Sequence, residues 1–211
     1  MVFRLLDDEI VFPEPAFADE DGLLAVGGDL SPERLLLAYQ SGIFPWFSDD
    51  DPILWFAPHE RCVVFPEHVK VSKSMAKVLK SGTFKISRNQ AFKQVIENCS
   101  AVFRKDQDGT WITSAMRKAY IRLHELGIAH SFEVWHNEVL VGGLYGNIVG
   151  KVFCGESMFS LMTNASKAAF ICLCRTQEFD LIDCQMPNDH LMSLGAEMIP
   201  RAQYMEILNR K

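Results

Sequence analysis

The sequence predicts an α+β protein with a mixed, mainly antiparallel sheet, and three observations carry that prediction. Several short segments alternate apolar and polar residues between Gly, Asn and Pro turns, as strands do. Others place apolar residues at helical spacing behind a Ser, Thr or Asn that can cap a helix. The stretch at 100–110, SAVFRKDQDGT, fits neither pattern. The division is therefore drawn there, between an N-terminal α/β unit over residues 1–100 and a C-terminal unit over 101–211.

The first helix starts at Ser31 with Pro32 in its first turn, shows an apolar face at Leu35, Leu36, Ala38 and Tyr39, and ends at Gly42. The segment GIFPWFSDDDPILWF reads as a loop, with short strands at 53–56 and 61–65. Ser72 caps a helix to Lys80, residues 83–87 alternate as a strand, and 90–99 form a short helix. Thr113 caps a helix closed by Gly127. Strands follow at 129–135, 139–148 and 151–154, and GESMFSLMTNAS reads as a loop. Asn164 caps a helix to about Glu178, 181–185 is a buried strand, and a helix near 190–194, a strand near Met198 and a helix from Ala202 finish the chain. Helix, three antiparallel strands, helix, strand, helix, strand is the order of an acyltransferase sheet of the GNAT type.

Composition narrows the classes. No apolar run approaches the roughly 18–20 residues that span a bilayer. The N-terminus MVFRLLDDEIVFPEP does not read as an export signal, so a cytoplasmic protein without a membrane partner is expected. The six cysteines form no C-x-x-C pair and read as buried free thiols rather than disulfides or zinc ligands. The net charge of −6 is uneven: residues 1–51 hold twelve acids and two bases, while 68–96 hold Lys70, Lys73, Lys77, Lys80, Lys85, Arg88 and Lys93 and no acid.

Four features bear on chemistry. In LIDCQ, strand alternation sends Asp183 and Gln185 to one face and Ile182 and Cys184 to the other. A carboxylate beside a carboxamide can orient an amine, or can be a hydrogen-bonded pair at a sheet edge. Glu156 stands in an apolar run, where its carboxylate needs a bound ammonium group or an internal base. Trp46 lies in a Pro-flanked loop and Trp111 just before a helix, and both can stack a nucleobase or plug an interface. Lys73, Lys77 and Lys80 share one helix face and suit phosphate contact, or simply a solvated surface.

Taken together, the motifs resemble one family. DGLLAVGGDLSPERLLLAYQSGIFPWFS, GTWIT, LVGGLYG, FCGESMFS, NASK, LIDCQ, HLMSLGA and IPR occur in the order found in leucyl/phenylalanyl-tRNA–protein transferases, across some 190 residues. The resemblance implies a small N-terminal α/β domain on a GNAT-like domain that uses neither coenzyme A nor any other cofactor or metal. It implies transfer of Leu or Phe, and Met less well, from aminoacyl-tRNA to proteins with N-terminal Arg or Lys, which marks them for degradation by the N-degron route. It assigns Asp183 and Gln185 to catalysis, with Asp183 polarising the Gln185 side chain, and puts Glu156 near the aminoacyl end. Trp46 and Trp111 would hold the terminal adenosine. Leu144, Phe153, Met158, Phe170, Leu173 and Ile182 would form the side-chain pocket, and Lys73, Lys77 and Lys80 would hold the acceptor stem. The protein is expected to be monomeric. The chain departs from the family pattern at Phe56 and Ala57 and in RTQEFD, where Gln177 takes a place often held by an aromatic; Leu144 stands where Met also occurs.

Three rival classes share some of these features. A coenzyme-A-dependent N-acetyltransferase needs a Gly-rich turn opening a helix, whereas LVGGLYG sits on a strand. A thiol enzyme would pair Cys154 or Cys184 with His130 or His190. A non-catalytic RNA-binding module explains the lysines and tryptophans but not Asp183, Gln185 and Glu156 together.

Overall fold

The computed structural model describes residues 4–102 and 112–210. Trp111 therefore lies outside the described residues. Two sheets organise the chain. The smaller contains β1 (Arg4–Leu6), β2 (Leu23–Gly27), β3 (Phe44–Pro45) and β4 (Leu54–Phe56) in the order β1-β2-β4-β3, parallel only between β1 and β2. Helix α1 (Pro32–Gln40) joins β2 to β3; Ser31 Oγ accepts from the Arg34 amide as its cap, and Gly42 turns the chain at φ +73° where a Cβ would meet Met205 Sδ.

The larger sheet has seven strands. They are β5 (Glu60–Val64), β6 (Lys85–Arg88), β7 (Ala129–His136), β8 (Val139–Val149), β9 (Val152–Ser160), β10 (Leu181–Gln185) and β11 (Glu197–Pro200), in the order β11-β5-β10-β9-β8-β7-β6. Only β9 and β10 run parallel. The α+β class and the GNAT-type order of helix, antiparallel meander, helix and parallel strand are thus the observed ones. The division drawn near residue 100 follows neither sheet, because β5 and β6 precede it yet hydrogen-bond to β10 and β7.

Alternation along β7, β8 and β9 sorts side chains to two faces. Phe132, Leu144 and Phe153 pack beneath α5 (Ala165–Arg175), with α2 (Lys73–Lys80) lying against α5. Tyr145, Cys154 and Phe159 join the opposite core, with α3 (Phe92–Ala101) and α4 (Ser114–Glu125). Ser72 and Thr113 cap α2 and α4 as expected, each hydroxyl accepting at 3.1 Å from an amide three residues on. α6 (Asp189–Ser193) and α7 (Arg201–Leu208) bracket β11.

Two local expectations are corrected. GESMFS is not loop but the second half of β9, paired with β8 out to Ser160. Its alternation is hidden because a β-bulge falls inside it: Tyr145 pairs with Ser157 and Gly146 with Gly155, leaving Glu156 as the extra residue. Asn164 does not cap α5 with its side chain; it stands at φ +72°, and Ser160 Oγ accepts the Ser166 amide instead.

Candidate active site

The site lies where β9 and β10 part. They pair over Val152–Cys154 and Leu181–Asp183 and no further. Beyond that point each strand carries an irregularity. On β9 it is the Glu156 bulge; on β10 the register against β5 shifts between Asp183 and Gln185, and Gln185 adopts φ +61°. The opening holds a cavity of about 840 Å³. At Gly146, opposite the bulge, a Cβ would sit 2.2 Å from the Cys154 carbonyl oxygen, so only glycine lets the strands close up there.

All six residues expected to form the side-chain pocket line this cavity: Leu144, Phe153 and Met158 from the sheet, Phe170 and Leu173 from α5, and Ile182 from β10. Gln185, Glu156 and Trp46 line it too. Trp46 is 37% exposed, tilted against Phe56 with ring centroids 5.8 Å apart. Gln177 has φ +58° just beyond α5 and is not among the lining residues; Phe179, two residues on, packs its ring 5.5 Å from that of Phe153. Lys73, Lys77 and Lys80 are exposed on α2, away from the cavity lining, and none forms an ion pair among the described residues.

The expected sharing of one face by Asp183 and Gln185 does not follow from alternation, because the strand turns irregular between them and Gln185 lines the cavity beside Ile182 and Cys184 while Asp183 does not; the contact between them also differs from the expected one. Asp183 is fully buried, and its Oδ1 accepts from the Gln185 main-chain amide at 2.8 Å, not from the carboxamide. Arg61 grips the same carboxylate as a fork, Nε to Oδ1 and Nη2 to Oδ2, both at 2.8 Å, and Tyr204 donates to Oδ2 at 2.9 Å. The guanidinium lies between the rings of Phe44 and Tyr204, 4.7 Å from each centroid, and donates to the Gly42 carbonyl. Burial works against the Arg61 charge, but adjacent Asp183 more than offsets it and holds the guanidinium protonated. Asp183 is thereby committed to fixing the backbone at Gln185.

The Gln185 side chain answers instead to Glu156. Gln185 Nε2 donates to Glu156 Oε1 at 3.0 Å. Tyr39 from α1 donates to the same oxygen at 2.7 Å, Tyr120 from α4 reaches Oε2 at 3.0 Å, and the two phenol oxygens also contact each other. Among the described residues, two phenols and a carboxamide rather than an internal base hydrogen-bond this carboxyl group. Burial pushes the Glu156 pKa up to about 7, with the Tyr39 and Tyr120 hydroxyls pulling against it.

Sequence reasoning missed Tyr39 and Tyr120 as site residues, and also Arg61 and Tyr204. Tyr39 was legible only as part of an apolar helix face; the available signal was that a buried phenol requires a polar partner. His190 also lines the cavity, its Nε2 buried without a partner, and burial lowers its pKa. Cys154 is buried with its pKa pushed up by burial, which ill suits a thiol nucleophile. Among the described residues no group of three or more His, Cys, Asp or Glu could hold a metal, and no helix is long and apolar enough to cross a membrane.

An apolar cavity thus opens at the splayed strands of the larger sheet, with a carboxamide held at its wall. The solved structure of FemX shares the fold, with a TM-score of 0.51 at 12% identity over 84% of this chain and 71% of that one. The description "Leucyl/phenylalanyl-tRNA protein transferase" matches residues 63–209, and that of the N-terminal domain of the same family matches 28–59. Relatives named leucyl/phenylalanyl-tRNA–protein transferase include those of Flavobacterium johnsoniae, 54% identical over 96% of this chain and 97% of the relative. Those of Shewanella woodyi, 56% identical over 94% and 86%, and of an Escherichia coli strain, 54% identical over 98% and 89%, bear the same name. The chain belongs to the leucyl/phenylalanyl-tRNA–protein transferase family, and it is an aminoacyltransferase.

Proposed function

We propose that this enzyme moves Leu or Phe, and Met less well, from aminoacyl-tRNA to the α-amino group of proteins that begin with Arg or Lys, marking them for degradation. The observation that carries the reading is the meeting of six apolar side chains with Gln185, Glu156 and Trp46 around one cavity. An uncharged pocket suits Leu, Phe and Met alike, and one methylene there discriminates by only about 1–3 kcal/mol.

In this reading the aminoacyl side chain enters the pocket, and Trp46 with Trp111 holds the terminal adenosine. The neutral amine of the acceptor attacks the ester carbonyl. A C–N bond forms, the bond from the carbonyl carbon to the ribose oxygen breaks, and the proton lost by the amine ends on that ribose oxygen. Gln185 supports the attack by accepting an amine N–H on its carboxamide oxygen while its Nε2 is engaged by Glu156. The ester is already activated, so positioning supplies most of the catalysis, about 7–11 kcal/mol where alignment is good. Asp183 acts through the backbone it fixes.

Lys73, Lys77 and Lys80 face solvent and would meet acceptor-stem phosphates. Asp49, Asp50 and Asp51, exposed just beyond Trp46, would attract the basic N-terminal residue of the acceptor. We place the enzyme in the cytoplasm as a monomer, which sedimentation at the mass of one chain would check. The deciding experiment supplies labelled leucyl-tRNA with a reporter beginning in Arg and, as control, the same reporter N-terminally acetylated. Label must reach the free reporter alone; transfer to both, or to neither, overturns the reading.

A further inference from the structure

Glu156, Tyr39 and Tyr120 form a closed triangle of oxygen contacts. Tyr39 Oη lies 2.7 Å from Glu156 Oε1, Tyr120 Oη lies 3.0 Å from Glu156 Oε2, and the two phenol oxygens touch. Three contacts of this kind need three protons. The two phenols supply two. If the carboxyl group is ionised, one contact brings two oxygens together with no hydrogen between them. Either the phenols face each other bare, or one phenol presents a lone pair to an anion.

A proton on the carboxyl group removes the conflict. Oε2–H then donates to Tyr120, Tyr120 donates to Tyr39, and Tyr39 donates to Oε1. Oε1 is left as the carbonyl oxygen, which also accepts from Gln185 Nε2 at 3.0 Å. Every donor has one acceptor, and the ring runs in one direction. We propose that Glu156 is held in its neutral, proton-bearing form, and that Tyr39 and Tyr120 are the positioning residues that require it by closing this ring.

The surroundings agree. Glu156 is 7% exposed, Tyr39 2% and Tyr120 0%. The titratable and charged groups around the carboxyl are Tyr39 from α1, Tyr120 from α4 with Tyr145 of β8 behind it, Cys154 on β9, Asp183 on β10 and Arg61 on β5. Asp183 opposes a second negative charge and Arg61 favours one, but Arg61 is already clasped by Asp183. Burial raises the Glu156 pKa in the same sense as the ring. Both phenols are likewise raised by burial and remain protonated.

The protonation state stands on this geometry alone. Its consequence rests on the role proposed for Gln185: losing the acid proton breaks the ring that aims the carboxamide, so transfer falls as pH rises through the Glu156 titration. The test reads the two separately. Infrared spectra of the protein without substrate should contain a carboxylic-acid C=O band at pH 6 that is missing from Glu156→Gln and disappears with a midpoint near 7. Each hydroxyl taken alone favours the ionised form as a donor, but the proposal makes the bare contact between the phenols the larger effect, so Tyr39→Phe and Tyr120→Phe should each move that midpoint down by about one pH unit, and an upward move in either overturns it. No such band at pH 6, or an unchanged midpoint in both variants, overturns the proposal. In the same variants the alkaline limb of kcat should move with the infrared midpoint. A midpoint that shifts while the limb stays would leave the protonation state standing and overturn its control of Gln185.

Discussion

Gln185 Nε2 donates to Glu156 Oε1 at 3.0 Å across the gap where β9 and β10 part, joining the two irregular points of the sheet. The bulge on one strand and the left-handed residue on the other are the two positions whose side chains make this contact. Removing the carboxamide should therefore be felt in the chemical step. Gln185→Ala is expected to lower the single-turnover transfer rate by about 10²-fold, within the range for one proton-handling group. Filter-binding affinity for charged tRNA should stay within about twofold, and an equal fall in both would assign Gln185 to binding instead.

Asp183→Asn leaves Arg61 buried without its counter-ion. Breaking a buried pair from one side costs about 3–5 kcal/mol. Urea unfolding should show a loss of that size, and transfer should fall as well because the Gln185 backbone loses its anchor. A loss below about 1 kcal/mol would mean that the fork contributes little.

Ile182→Ala enlarges the pocket at a buried wall position. Stability should drop by about 2–5 kcal/mol. In competition between phenylalanyl- and leucyl-tRNA, preference should move toward Phe by about tenfold, the effect of roughly one methylene. An unchanged ratio would show that Ile182 does not face the transferred side chain.

Two charge clusters should separate the two substrates. Replacing Lys73, Lys77 and Lys80 by Ala should raise the KM for tRNA and reduce the slope of log affinity against log salt by about two to three, one phosphate contact per lysine. Replacing Asp49, Asp50 and Asp51 by Asn should raise the KM for the acceptor more than that for tRNA. Equal effects on both substrates from either set would count against the assignment of that set.

Glu156 also predicts a pH dependence of stability. Its pKa rises from 4.5 to about 7 on folding. Between these values the folded protein holds a proton that the unfolded chain lacks, so stability falls as pH rises; the contribution is complete below 4.5 and lost on passing 7. Glu156→Gln has no such proton to lose. Wild type should therefore lose about 1–3 kcal/mol relative to this variant between pH 5 and pH 8, measured by urea midpoints. A constant difference would place the titration elsewhere.

Much of the fold could be read directly from the chain. Ser31, Ser72 and Thr113 announced their helices because a capping hydroxyl acts within three residues of its own position. The β9 extension was lost because the bulge at Glu156 breaks the period that a strand reading depends on. Asn164 reads as a cap in the sequence because residue type does not reveal a left-handed backbone. The pocket residues were legible through family resemblance, since their positions span β8, β9, α5 and β10 and no local pattern unites them.

The sequence by itself determined the order of most elements and the starts of three helices. These follow from properties that act along the chain: capping, periodicity and alternation. Only the tertiary structure decided what each polar group answers to. Arg61 lies 122 residues from Asp183, and Tyr39 lies 117 from Glu156. A buried carboxyl group must be satisfied by whatever packing brings within 3 Å, and that partner is chosen by how the sheets and helices meet.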